Sequence, residues 1–230
     1  MMTNIEEWKT EVKKYNSELN EKLKISSNNK ELYYGFEVLD GKIIKQPKIL
    51  FIGINPGKGD GKKGKNIFET DRISYLDFFD EDYRYHLAEK TINFFKLIGW
   101  NDEKIKNTFK KEVVKTNFYH LATENVSDLT TILNDINHRE EYFKKSAEFS
   151  IQLINLLKPK ILILEGKSVF DNIVEQCYGK KVWNSNKYGY LYDNINNTHI
   201  IGYSRGRDFT VKDRAHFTNK LKEICVKSQI

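Results

Sequence analysis

The sequence predicts a three-layer α/β/α sandwich around a central, mostly parallel sheet. Short, continuously apolar runs, Ile49-Leu50-Phe51-Ile52 and Ile161-Leu162-Ile163-Leu164, have the pattern of strands buried on both faces. Amphipathic stretches of helical period separate such runs, and this alternation is the mark of a doubly wound sheet. The 230 residues are enough for one domain with a sizeable core, and no linker or repeat divides them, so 1–230 reads as a single domain.

The elements follow in order. Ile5, Trp8, Val12, Tyr15, Leu19 and Leu23 recur every three or four residues, which predicts a helix over about 3–24 packed on the domain, with Thr3 and Glu6 as a capping box. Residues 32–45 read as a strand pair turning at Asp40-Gly41. The buried strand at 49–52 comes next. From Asn55 to about Ser74 no helical or strand period is visible, and Gly57, Gly59, Gly61 and Gly64 mark a long loop. Helical patterns at 84–99 and 103–111 precede a strand near Glu112–Phe118 and a helix around 127–135. A longer helix at 138–157 is capped by Asn137 and Glu140 and lined by Phe143, Ala147, Ile151 and Ile154. The strand at 160–164 ends at Gly166, and another helix follows. Two strands in 188–203 flank the turn Asp193–Asn197, and Thr210 with Asp213 caps a last helix carrying Phe217, Leu221, Ile224 and Cys225.

Ligands of such folds sit outside the C-terminal strand ends. That rule gathers Asn55–Gly57, Asn117–His120, Glu165–Lys167 and Tyr203–Arg207 around one crevice. A formal charge of +6 suits an anionic partner but equally a solvated lysine-rich surface. Two cysteines, Cys177 and Cys225, are too few for a four-cysteine iron–sulfur or zinc site and read as reduced core residues. The five scattered histidines lack metal-ligand spacing, so neither metal nor other cofactor is expected. The charged start MMTNIEEWKTEVKK is unlike a signal peptide, and no apolar run nears the roughly 20 residues a membrane span needs. The expectation is a cytoplasmic monomer without a membrane partner.

Two phosphate-loop patterns compete for the glycine-rich segment. Residues 59–64 satisfy GxGxxG, and 59–65 satisfy GxxxxGK, but Asn66 replaces the Ser or Thr that would hold magnesium. Both patterns require glycines directly between strand and helix, and here Asn55-Pro56-Gly57-Lys58 intervenes.

The strand-to-loop segment Lys48–Gly57, KILFIGINPG, resembles the first active-site motif of the uracil-DNA glycosylase superfamily, in the GINPG form of its mismatch-specific and thymine/uracil branch. Thr116-Asn117-Phe118-Tyr119, Ile161–Lys167 and Ile201–Gly206 follow in the order of that superfamily's later motifs, so the resemblance spans roughly residues 48–226. It implies a uracil-DNA glycosylase-like fold and a monofunctional DNA glycosylase without a lysine nucleophile. Such an enzyme hydrolyses the N-glycosidic bond of uracil or another modified or mismatched base in single- or double-stranded DNA. By resemblance Asn55 holds the attacking water. Gly53, Ile54 and Pro56 shape the base site, Gly57 leaves room for 5-substituted bases, and Asn117 reads the flipped base. Phe68 and Tyr119 are candidate stacking platforms, and His120 a further base contact; packing in the core is the plainer reading of all three.

The fourth motif departs from the pattern: Gly202-Tyr203-Ser204 stands where His-Pro-Ser is usual, so the histidine that stabilises the leaving base is missing. Ser204 is retained as a catalytic or phosphate contact. Tyr203, Arg205, Arg207 and Lys167, with the loop lysines Lys58, Lys62, Lys63 and Lys65, are the candidate DNA contacts. A solvated surface is the alternative for those lysines and arginines. His199 is weighed as a substitute for the missing group and reads better as a packing residue. Two other functions remain open: a non-catalytic nucleic-acid-binding module on the same fold, and a protein that binds a small nucleotide or nucleoside.

Overall fold

A computed structural model of the chain describes residues 4–25, 31–59, 61–80, 86–179, 187–206 and 209–230. In chain order the elements are α1 (Ile5–Ile25), β1 (Gly35–Leu39), β2 (Ile49–Gly53), β3 (Lys65–Glu69), α2 (His86–Leu97), α3 (Asp102–Glu112), β4 (Val113–Asn117), β5 (Leu121–Ala122), α4 (Val126–Asp135), α5 (Arg139–Leu157), β6 (Ile161–Glu165), α6 (Lys167–Tyr178), β7 (Tyr188–Asp193), β8 (Thr198–Tyr203) and α7 (Val211–Lys227). A short 3-10 segment, Ser74–Phe79, precedes α2.

The sheet order is β3-β1-β4-β2-β6-β8-β7, with β5 paired to β1. The four central strands β4, β2, β6 and β8 are mutually parallel, whereas β1 runs antiparallel to β4 and β7 antiparallel to β8. Side-chain alternation along the central strands splits the core in two. Leu50, Ile52, Leu162 and Leu164 pack with α1, α4, α5 and α6, while Ile49, Phe51, Ile161 and Ile163 pack with α2, α3 and α7. The result is a three-layer α/β/α sandwich with a mostly parallel sheet, as the sequence predicts. Each fully buried aliphatic chain contributes about 1.5–3 kcal/mol relative to exposure, which is why these unbroken apolar runs occupy the centre.

β2 is the point where the winding reverses. After β2 the chain passes through edge strand β3 to α2 on one face, and it leaves the neighbouring β6 for α6 on the other. The two connections diverge and open a crevice beyond these strand ends.

Several local expectations need correction. The cap of α1 is Asn4 with Glu7: the Glu7 amide donates to Asn4 Oδ1 at 2.9 Å, and Asn4 Nδ2 donates to Glu7 Oε1 at 3.0 Å. The expected Thr3 cap lies outside the described residues. No hairpin forms at Asp40-Gly41, because the Asp40 carboxylate is tied to the Ser74 amide and to Lys115 instead of closing a turn. The long loop after Asn55 contains a strand, β3, which adds in parallel to the edge of β1. That approach needs Gly35, at φ +111°, since a Cβ there would stand 2.0 Å from the Lys65 carbonyl oxygen. His138 precedes α5 without a side-chain cap, and Asn137 takes a left-handed conformation instead of capping. Ile151 is only half-buried, because α5 turns Tyr142, Ser146, Phe149 and Leu153 inward between α1 and α6. Cys225 is buried but Cys177 is exposed, so only one cysteine is a core residue. No helix among the described residues is long and apolar enough to cross a membrane.

Candidate functional site: a polar cavity at the strand ends

On the α2 side the apolar core stops short of the C-terminal ends of the parallel strands, and polar side chains take over. Asn117 ends β4 directly opposite Gly53 at the end of β2. The pairing continues past both strands, with the Phe118 amide donating to the Gly53 carbonyl and the Tyr119 amide to the Ile54 carbonyl, each at 2.8 Å. This ladder fixes Asn55 and Asn117 relative to one another. Gly53 leaves room for the Asn117 amide: a Cβ there would lie 2.6 Å from Asn117 Oδ1 and push that side chain aside.

Asn55, Pro56, Gly57, Asn117 and Arg205 line one cavity of about 630 Å3, together with Glu37, Asp40, Lys65, Ser74, Leu87, Lys115 and Glu124. The Asn55 Nδ2 donates to the carbonyl oxygen and the hydroxyl of Thr123, at 3.1 and 3.3 Å. These bonds set the orientation of the amide and leave Oδ1 without a protein partner among the described residues. Asn117 is only 6% exposed, yet neither end of its amide has a hydrogen-bond partner among the described residues. Gly57 has φ +68° and open space where a Cβ would point, so it leaves the cavity roomy.

The cavity's charges are arranged in two layers. At its floor Lys115 and Asp40, both nearly fully buried, form an ion pair, and Ser74 joins it through its amide and its hydroxyl, at 2.7 and 2.5 Å from the Asp40 carboxylate. Beside them the Glu37 side chain faces the space, its carboxyl without a hydrogen bond among the described residues. Burial, then the Asp40 charge, hold its carboxyl above the usual carboxylate range, against the pull of Lys115 and Lys65. At the rim Lys58 pairs with Glu124 at 2.9 Å. On the β6 side, fully buried Glu165 accepts hydrogen bonds from the hydroxyls of Tyr75, Tyr203 and Thr91, at 2.5, 3.1 and 3.2 Å. Near it Lys90 lies over the rings of Tyr203 and Phe209, where burial and the positive charges of Arg205 and Arg214 lower its pKa.

The structure brings together Asn55, Pro56, Gly57, Asn117, Lys65 and Arg205, with Gly53 beneath them. Other expected site residues are placed elsewhere. Tyr203 is a core residue hydrogen-bonded to Glu165 and is unable to reach DNA from there. Tyr119 is buried among Phe118, Tyr142 and Phe143, and Phe68 packs against Trp8, so neither is a stacking platform. His120 is fully buried against Asn16 on the opposite side of the sheet. Ile54 points toward Gly166 and that same opposite core. Ser204 lies outside the cavity lining, and its hydroxyl accepts a bond from the Gly206 amide at 3.3 Å. Lys167 pairs with Asp171 on α6, and Lys63 donates to the Glu31 carbonyl while lying over Tyr34. Lys62 is exposed and does not line the cavity. Arg207 lies outside the described residues. His199 of β8 stacks with Tyr190 of the edge strand β7, the packing role expected of it.

Glu37, Asp40, Lys115, Thr123 and Glu124 escaped the sequence reading. One signal was available: Lys115 interrupts the apolar run of β4, and an ammonium in a buried strand demands a carboxylate nearby. Among the described residues no group of three or more His, Cys, Asp or Glu side chains is placed to hold a metal ion. Compared with known family profiles and with curated protein sequences, the chain matches none.

Proposed function

We propose that the protein is a DNA glycosylase that hydrolyses the N-glycosidic bond of uracil or of another modified or mismatched base. The observation that carries this reading is the pair of strand-end amides, Asn55 and Asn117, facing one 630 Å3 cavity with hydrogen-bonding capacity unspent. That volume lies within the range of small-molecule sites and accommodates a flipped base. Asn55 Oδ1 accepts a hydrogen bond from the attacking water and holds it beneath the anomeric carbon. The two bonds to Thr123 keep that oxygen from rotating away. Asn117 offers a donor and an acceptor to the edge of the base. The space at Gly57 admits a 5-substituent. Lys65 and Arg205 supply positive charge beside the cavity for flanking phosphates.

A second reading, a site for a free nucleoside or nucleotide, is favoured by one observation. Lys58 and Lys63 are engaged within the chain, which leaves a rim of mixed charge in place of a continuous basic face. Incubation with single-stranded and duplex oligonucleotides carrying uracil, a G·T mismatch, hypoxanthine or a bulky 5-modified pyrimidine separates the two. Abasic sites are expected from at least one of these, with a loss on the order of 10²-fold in Asn55→Ala. Base release that is unchanged in Asn55→Ala removes Asn55 from the mechanism. Calorimetric binding of nucleosides without base release from any oligonucleotide selects the second reading.

A further inference from the structure

We propose that Glu37 is the proton donor to the departing base and takes the place of the histidine absent at Gly202-Tyr203-Ser204. The inference rests on the glycosylase reading and deepens it. Strand β1 alternates Phe36 and Val38 into the core beneath α1, so Glu37 projects to the other face, where Lys115 and Asn117 of neighbouring β4 also stand. It shares the cavity with Asn55, and its carboxyl group makes no hydrogen bond or salt bridge among the described residues, while its backbone amide is held by the His120 carbonyl at 2.9 Å. The ion pair of Asp40 and Lys115 beneath it is already closed, so Lys115 is occupied. A carboxyl that shares a cavity with a buried anion and an unpartnered amide, and is itself unbonded, has no structural side-chain bond to lose when it delivers a proton.

The C1′–N bond breaks with its electron pair passing to the base, and the Glu37 carboxyl transfers its proton to a nitrogen or carbonyl oxygen of that base. The water held at Asn55 adds its oxygen to C1′ and releases a proton to solvent, from which Glu37 is reprotonated. The charged groups around Glu37 are Asp40 just past the end of its own strand, Lys115 on β4, Lys65 on β3, and Glu124 and Arg205 at the rim. Burial and Asp40 keep the acid form populated to higher pH than for a free carboxyl, so activity falls as pH rises through this raised value. The substrates that gain most are bases whose anions leave poorly.

The test compares Glu37→Gln with the wild type on oligonucleotides carrying 5-fluorouracil, uracil and thymine, a series of falling leaving-group acidity. The expected result is a fall in kcat of about 10²-fold with KM unchanged, growing along the series, and disappearance of the alkaline limb of the pH profile. An equal loss on all three bases with the limb retained would overturn the proposal and make Glu37 structural. Base release by the wild type that survives Glu37→Gln overturns this inference alone. No release by the wild type from any oligonucleotide brings down the glycosylase reading and the proposal with it. If Glu37→Gln does not fold, carbon-13 titration of the wild-type Glu37 carboxyl decides. Coincidence with the kinetic limb supports the role, and separation from it overturns the role.

Discussion

Lys115 lies at the middle of β4 with 5% exposure, and Asp40 meets it from the end of β1 with 4%. Removing either charge from water costs several kcal/mol, and the cost is offset only while both partners and their hydrogen bonds are present. The ring of Tyr75 covers the ammonium at 4.4 Å, which adds to its isolation from solvent. Asp40→Asn is therefore expected to destabilise the protein by about 3–5 kcal/mol, whereas Asp40→Asn combined with Lys115→Met recovers most of that loss. Urea unfolding of the wild type, both single variants and the double variant gives the coupling directly. Simple additivity of the two singles would show that the pair behaves like a surface contact. Half of this feature is legible in the sequence. A lysine inside Val-Val-Lys-Thr-Asn announces that a partner must exist, but no local rule names a carboxylate 75 residues away. The same asymmetry holds at the site: Asn55 and Asn117 sit at strand ends that hydrophobic runs locate, whereas Glu37 reaches the cavity through a non-local pairing of β1 with β3 and β4.

At the scale of elements, strands buried on both faces and helices of clear apolar period were the readable parts, whereas of the three caps read only that of α7 is found. α7 begins at the expected box, with Thr210 and Asp213 each bonding the other's backbone amide. The segment Gly202-Tyr203-Ser204 reads differently once its neighbours are known. Gly202 and Tyr203 belong to β8, Tyr203 anchors Glu165, and only Ser204 and Arg205 emerge into the loop. Gly202 is there for packing, because a Cβ would meet the Phe170 ring at 2.3 Å. Phe170 is fully buried between α6 and the sheet, so its ring has little freedom to retreat. Gly202→Ala is accordingly expected to cost about 1–3 kcal/mol through overpacking. Thermal unfolding measures it, and reducing the ring in Phe170→Leu should recover part of the loss. A neutral Gly202→Ala would mean that α6 shifts freely on β8. The motif position alone suggested a ligand contact, and the pairing of β8 with β6 and β7 shows why the sequence misled: a strand end and the loop after it look alike without their partners.

For the whole molecule, the two faces of the sheet carry different polar investments. The α2 face holds the open cavity, with Asn55 Oδ1, the Asn117 amide and the carboxyl of Glu37 unbonded among the described residues. The α1 face is closed by long-range bonds: Trp8 Nε1 donates to the Phe149 carbonyl at 3.0 Å, and Tyr33 donates to Asn20 at 2.8 Å. His120 meets Asn16 at 3.1 Å inside this seam, where burial pushes its pKa down from 6.5 to about 3. Above pH 6.5 the ring is neutral in both folded and unfolded chains, so it makes stability independent of pH. Between 6.5 and 3 the unfolded chain binds a proton that the folded chain refuses, and stability falls by about 1.4 kcal/mol for each unit of pH. His199, half-buried beside Lys220 and Lys227, is also lowered and acts in the same direction, so the wild-type slope contains both residues. Subtracting the curve of His120→Gln isolates the seam. The urea midpoint of the wild type should drop between pH 6.5 and 5, a range above most carboxylate titrations, and the variant should lose most of that drop. Parallel curves for the two proteins would place His120 in contact with water and the seam between α1 and the sheet open.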